Sequence, residues 1–195
     1  MRILAVATCL AMPAPVAFAC PTLADLDKGI RFTVDGVDTE VYRRVGPAMI
    51  EATYTTADGA VSRTMLAQGI YLVELVDMVD GKPDLATRTT YAFPGRAEDL
   101  ALPSPGGQVV YDIVISNGND LNPERQTYDF GPGGLINFGA CEYEMVEIQI
   151  RYDPGDEALV DILYYLPALQ FSYYAGSDSS DGPNRYSYTN MEVVE

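Results

Sequence analysis

Histidine and tryptophan are absent from this 195-residue chain. Without an imidazole, Ser-His-Asp and Cys-His nucleophiles and His-ligated zinc are excluded. Without an indole, the best stacking surface for a sugar is missing, although tyrosine can stand in for it. Lysine occurs only at Lys28 and Lys82, and no glycine-rich loop leads into a Lys-Ser or Lys-Thr pair, so a Walker-type phosphate site is excluded as well. No cofactor motif is present, and no cofactor is expected. Long apolar runs are equally scarce. Leu159 to Leu169 is interrupted by Asp161 and Pro167 and falls short of the ~20 residues a membrane-spanning helix needs, so no transmembrane segment is expected.

The one other apolar run lies at the start. Met1-Arg2 gives a positive end, Ile3 to Ala19 carries no charge, and Ala17-Phe18-Ala19 has the A-x-A cleavage pattern. This reads as a secretory signal peptide over residues 1–19, leaving a single extracytoplasmic domain over 20–195. The expected location is the periplasm or outside the cell. Removing Arg2 with the leader leaves 11 basic residues against 28 acidic ones, a balance of −17. Such a surface repels polyphosphate, so nucleic-acid binding is not expected; cations, basic partners and simple solubility suit it.

Of the three cysteines, Cys9 belongs to the leader, and Cys20 and Cys141 remain. An even pair in an oxidising compartment reads as a disulfide, closing a loop of more than a hundred residues. The rival reading is a lipoprotein anchored at Cys20. Against it, Ala17-Phe18-Ala19 lacks the usual Leu and places a bulky Phe before the cleavage site, and lipidation would strand Cys141 as an odd thiol.

Short β-type runs separated by turn signals fill the rest. Ile30 to Val34 alternates apolar and polar, Asp35-Gly36 turns it into Thr39 to Val45, and Asp58-Gly59, Gly69 and Asp80-Gly81 punctuate the next runs. Later strands are expected at Val109 to Ile115, Gln126 to Phe130, Cys141 to Tyr152, Leu159 to Leu166 and Arg185 to Val193. Between them, loops are expected at Ser116 to Glu124 and Ser177 to Asn184, with a break at Gly131 to Gly134. Cys141, Tyr143 and Met145 share one parity and Val146, Ile148 and Ile150 the other, which calls for a β-bulge near Met145-Val146. Helix signals reduce to one turn after Thr22 and another at Asp156 to Leu159. The fold class is all-β: a single curved antiparallel sheet, or an open half-barrel or barrel, of about nine to eleven strands with meander topology.

Three side-chain groups invite chemistry. Glu74 and Asp161 sit in otherwise apolar runs; a carboxyl so placed has a raised pKa and suits a carboxylate-dependent hydrolase, whereas on the wet face of a half-solvated strand it is ordinary. Asn119 and Asp120, and Asp178 and Asp181, lie in oxygen-rich stretches of the kind calcium uses, which are equally the usual residues of turns. Six of the 14 tyrosines fall after Leu163, where they serve either cross-strand pairing or a ligand-facing surface.

Cys20-Pro21-Thr22, Asp25-Leu26 and Gly29-Ile30-Arg31-Phe32 resemble a group of uncharacterised exported proteins from alphaproteobacteria. So do Gly69 to Glu74, Thr87 to Tyr91 and Gly139 to Tyr143. This likeness implies export and brings no activity with it. More loosely, Tyr164-Tyr165-Leu166-Pro167-Ala168-Leu169 between two late strands is similar to periplasmic half-barrel proteins such as the lipoprotein-localisation carriers, whose covering helices have no counterpart here. That resemblance implies a concave apolar face for acyl chains. With the strand patterning, it places a ligand near Tyr71, Val73, Ile148, Ile150, Tyr164, Leu166, Leu169 and Phe171. The reading is therefore a non-enzymatic envelope binding or interaction module whose partner is an apolar or acyl-bearing ligand or an envelope protein. A hydrolase, or a calcium-stabilised structural protein, stands as the alternative.

Overall fold

A computed structural model describes residues 19–194; of the expected signal peptide, residues 1–18 lie outside them. After a 3-10 turn at Leu23–Asp27, where Thr22 donates its hydroxyl to Asp25 at 2.7 Å, the described chain is mainly β; a second 3-10 turn lies at Ala97–Asp99, and the turn expected at Asp156 to Leu159 forms no helix. The strands are β1 (Ile30–Val34), β2 (Asp38–Gly46), β3 (Met49–Thr55), β4 (Val61–Ala67), β5 (Tyr71–Val79), β6 (Lys82–Pro83) and β7 (Thr89–Ala92). They continue with β8 (Gln108–Asn117), β9 (Asp120–Phe138), β10 (Cys141–Asp153), β11 (Val160–Leu166), β12 (Phe171–Ser179), β13 (Gly182–Arg185) and β14 (Tyr188–Val193).

All belong to one open antiparallel sheet in the order β13-β12-β11-β10-β9-β8-β7-β5-β4-β3-β2-β1-β14, with β6 beside β5. The meander follows from turn chemistry. Asp35-Gly36 and Asp80-Gly81 both take positive φ, the conformation that two-residue hairpins need. The two edge strands, β13 and β14, are successive on the chain. The last segment pairs first with β12 and then with β1, so it spans the seam where the sheet would otherwise gape.

Fourteen strands exceed the nine to eleven expected from sequence. The polar stretch Ser116 to Glu124 is a tight hairpin, with Asn117 opposite Asp120 and Gly118 at φ +61, rather than a loop. Ser177 to Asn184 likewise completes β12 and forms β13. Gly131 to Gly134 does not end a strand. β9 runs through it for 19 residues, because an extra residue is absorbed there: Val146 faces Gly133 while Ile148 faces Phe130. The bulge expected near Met145-Val146 therefore lies on the neighbouring strand.

The change of parity along β10 has a different cause. Cys141, Tyr143 and Met145 join one apolar cluster, and Val146, Ile148 and Ile150 join a second. In β11, Ile162 and Leu166 belong to the first cluster and Leu163 and Tyr165 to the second. Alternate residues of one strand point to opposite faces, so the sheet curls until both faces of its middle strands are covered. The first cluster centres on Phe32, whose ring meets Phe138 at 5.1 Å and Tyr42 at 5.8 Å edge-on, while Tyr42 stacks on Phe171 at 4.3 Å. Such pairs add about 0.5–1.5 kcal/mol each beyond burial.

Two cross-links fix the curl. Cys20 is disulfide-bonded to Cys141, tying the N-terminal segment to β10, and Tyr143 donates its hydroxyl to Pro21 O at 2.7 Å beside it. At the other, the β4–β5 turn meets the β11–β12 turn. Gly69 takes φ +66, and a Cβ there would lie 2.3 Å from Gln170 O, so the approach requires glycine. Ser172 donates both its N–H and its hydroxyl to Gly69 O, at 2.7 and 2.9 Å.

Candidate functional site

Between the two clusters the sheet encloses a cavity of about 630 Å³. One wall comes from β2 to β5: Glu40, Tyr42, Ala52, Thr64, Leu66 and Leu72. The facing wall comes from β9 to β12: Glu124, Gln126, Tyr128, Ile150, Tyr152, Asp161, Leu163 and Tyr174. Buried residues such as Tyr42, Ala52, Ile70 and Tyr128 form the floor, and exposed ones, Leu75, Pro154, Gly155 and Asp156, form the rim. Along β12 the side chains divide: Phe171, Tyr173 and Ala175 enter the first cluster, whereas Ser172 and Tyr174 face the cavity, which the first cluster also borders through Tyr42, Ala52 and Leu66.

The polar groups of the lining are arranged by strand alternation. Glu40 and Tyr42 lie two apart on β2 and share a face, as do Glu124, Gln126 and Tyr128 on β9. Glu40 is 9 % exposed, and its Oε2 accepts the Tyr42 hydroxyl at 2.8 Å and the Tyr188 hydroxyl at 2.6 Å. Burial pushes this carboxyl above the usual range, and the two hydroxyls partly offset that shift. Tyr128 donates to Gln126 Oε1 at 2.6 Å, and Gln126 in turn donates to Glu124 Oε1 at 2.8 Å. On the same wall, Asp161 accepts from Tyr152 at 2.6 Å and from Tyr174 at 3.0 Å, one hydroxyl on each oxygen. Burial, aided by the Asp161 charge, raises the Tyr152 phenol. Burial, outweighing a Ser177 hydrogen bond and reinforced by Asp161, pushes Tyr174 up to about 12.

The residues singled out from sequence fall in different places. Ile150 and Asp161 line the cavity. Tyr71, Ile148, Leu166, Leu169 and Phe171 are sealed from solvent inside the two clusters, and Val73 and Tyr164 pack against the edges of those clusters. Glu74 lies outside the lining, in an ion pair with Arg63 at 2.6 Å and Arg88 at 2.5 Å. Burial alone would raise its carboxyl, but hydrogen bonds from both guanidinium groups outweigh it and hold the group below the usual carboxylate range. Asn119 and Asp120 form the exposed β8–β9 hairpin end, Asp178 pairs with Arg185 at 2.6 Å, and Asp181 sits in the β12–β13 turn. Among the described residues no three His, Cys, Asp or Glu side chains converge as metal ligands, and no helix is long and apolar enough to cross a membrane.

Tyr174, one of the six late tyrosines, does face the cavity, whereas Glu40, Tyr42, Glu124, Tyr128 and Tyr152 were not singled out from sequence. Their signal was an acid or amide followed two residues later by tyrosine, in Glu40-x-Tyr42 and Gln126-x-Tyr128. No protein-family model matches the chain, and no curated protein matches it. Among solved structures it is similar to the hypothetical lipoprotein YmcC from Escherichia coli (K12), with 10% identity, a TM-score of 0.44 and 83% of each chain covered. A likeness at that level carries nothing further.

Proposed function

We propose that this protein is a non-enzymatic binding module of the cell envelope that holds a small molecule with an apolar body in the cavity between its two sheet walls. The observation that carries this reading is the cavity itself. Its volume of about 630 Å³ falls within the range of about 300–1,000 Å³ typical of ligand sites. Apolar side chains from both walls, Ala52, Leu66 and Leu72 against Ile150 and Leu163, face one another across it. Each methylene moved from water into such a space gains about 0.8 kcal/mol. The acids considered for hydrolysis support binding better than catalysis: Glu74 is held in its ion pairs, and Asp161 is occupied by two tyrosine hydroxyls.

The test is a titration with N-phenyl-1-naphthylamine, an uncharged apolar dye that brightens on leaving water. Saturable uptake of one equivalent is expected. Leu163→Trp, which adds bulk to one wall, should weaken it at least tenfold with little change in Tm. Absent or unsaturable uptake, or equal affinity in the variant, would overturn the reading.

A further inference from the structure

We infer that the ligand of this cavity carries a positive charge, as an amine or quaternary ammonium group on its apolar body. This inference rests on the cavity being a binding site. Four acids line the space, Glu40, Glu124, Asp156 and Asp161, and among the described residues no Lys or Arg does. Five tyrosines, Tyr42, Tyr91, Tyr128, Tyr152 and Tyr174, supply aromatic surface on both walls. Aromatic faces beside carboxylates attract a desolvated cation through the ring quadrupole and the full charges together.

Hydrogen-bond capacity points the same way. Tyr42, Tyr128, Tyr152 and Tyr174 all spend their hydroxyl protons on Glu40, Gln126 or Asp161. Gln126 gives an amide proton to Glu124, and Ser172 gives its own to Gly69 O. Of the lining hydroxyls only those of Thr64 and Tyr91 donate to no acceptor among the described residues, so what faces the cavity offers more acceptors than free donors. Glu40 is decisive. Both of its tyrosine partners bind Oε2, and Oε1 receives no hydrogen bond among the described residues. Arg63 Nε is the only sealed side-chain polar atom without a partner among those residues, so Glu40 Oε1 keeps accessible surface, and Glu40 is part of the cavity lining. A carboxylate more than nine-tenths buried, with one oxygen accessible and without a hydrogen bond, is matched by a ligand that brings the donor and the charge. An acyl carboxylate would meet like charge and find few donors.

The experiment compares three probes sharing a twelve-carbon chain, namely dodecyltrimethylammonium, laurate and 1-dodecanol, each below its aggregation threshold, as displacers of N-phenyl-1-naphthylamine. The ammonium probe should displace the dye at least tenfold more effectively than laurate, about 1.4 kcal/mol. Its preference over 1-dodecanol should fall at least threefold in Glu40→Gln, which keeps an acceptor for Tyr42 and Tyr188, and in Asp161→Asn. Laurate matching or exceeding the ammonium probe, or both variants keeping the preference, would overturn the inference while leaving the cavity a binding site. Failure of all three probes to displace a dye that binds would also overturn it. Failure of the dye itself to bind would remove both readings.

Discussion

Replacing both bridged cysteines, in a Cys20→Ala/Cys141→Ala variant, removes a cross-link between residues 121 apart in sequence. In the chain-entropy model the loss is about 2.1 + 1.5R ln n cal/mol/K, here about 16 cal/mol/K, or about 5 kcal/mol at room temperature. That figure is an upper bound, because removing native bridges costs ~2–5 kcal/mol in practice. The tethered segment has native contacts of its own that do not involve the bridge, and the variant is expected to keep them. Leu26 is buried, Tyr143 donates to Pro21 O, and Arg44 donates to Leu23 O at 3.0 Å and to Asp27 at 3.0 Å. The cost is therefore carried by the freed unfolded chain, and the folded spectrum should not change. For a chain of this size, 1 kcal/mol moves Tm by about 2–4 °C, so a drop of roughly 5–20 °C is expected. Urea denaturation of both proteins, with near-ultraviolet circular dichroism as the check on tertiary structure, measures it. A loss below about 1 kcal/mol would refute the entropic reasoning, and a lost native spectrum would show that the bridge shapes the fold instead.

Further outcomes follow from single contacts. Gly69→Ala should cost about 3 kcal/mol or more in urea denaturation, since its Cβ would approach Gln170 O at 2.3 Å and the Phe171 Cα at 2.7 Å. Gly59→Ala, at φ +91 with nothing within 4 Å, should cost only about 1 kcal/mol; equal costs would deny the close approach of the two turns. Glu74→Gln should destabilise by about 1.5–3 kcal/mol, the lower end being favoured because Arg88 is half exposed and screened. Because the Glu74 carboxyl is held low, its stabilising contribution is present above the ordinary carboxylate range and is lost as pH falls through its folded value. The variant should accordingly show a shallower acid limb when stability is measured from about pH 3 to 7. Glu40 works in the opposite sense. Its raised carboxyl favours the folded state most below the ordinary range, and that benefit is lost as pH rises towards the folded value, a decline that Glu40→Gln should remove.

The meander was legible because its signals are local. Ile30, Phe32 and Val34 alternate into the core as their pattern requires, and Asp-Gly pairs mark the hairpins. Gly131 to Gly134 and Ser177 to Asn184 resemble breaks, yet both continue the sheet, because a bulge and neighbouring strands accommodate residues that propensity alone disfavours. The parity change in β10 could not be traced to its source, since a second apolar cluster on the opposite face is a property of the curl, not of the strand. The cavity was hidden for a related reason. Apolar alternation marks the positions that seal best, such as Ile148, Leu169 and Phe171, all with no exposed surface, whereas a binding space is lined by mixed residues. The spacing of Glu40 to Tyr42 shows that they share a face, but only the folded chain brings that face opposite Asp161 and Tyr174.

A crystal structure grown with N-phenyl-1-naphthylamine tests the central claim most directly. The account predicts the dye between Leu72 and Leu163, over Tyr128, and its absence from Leu163→Trp crystals grown in the same way. Dye found only on outer apolar residues such as Val110 and Val114, with the cavity empty at a saturating concentration, would contradict it.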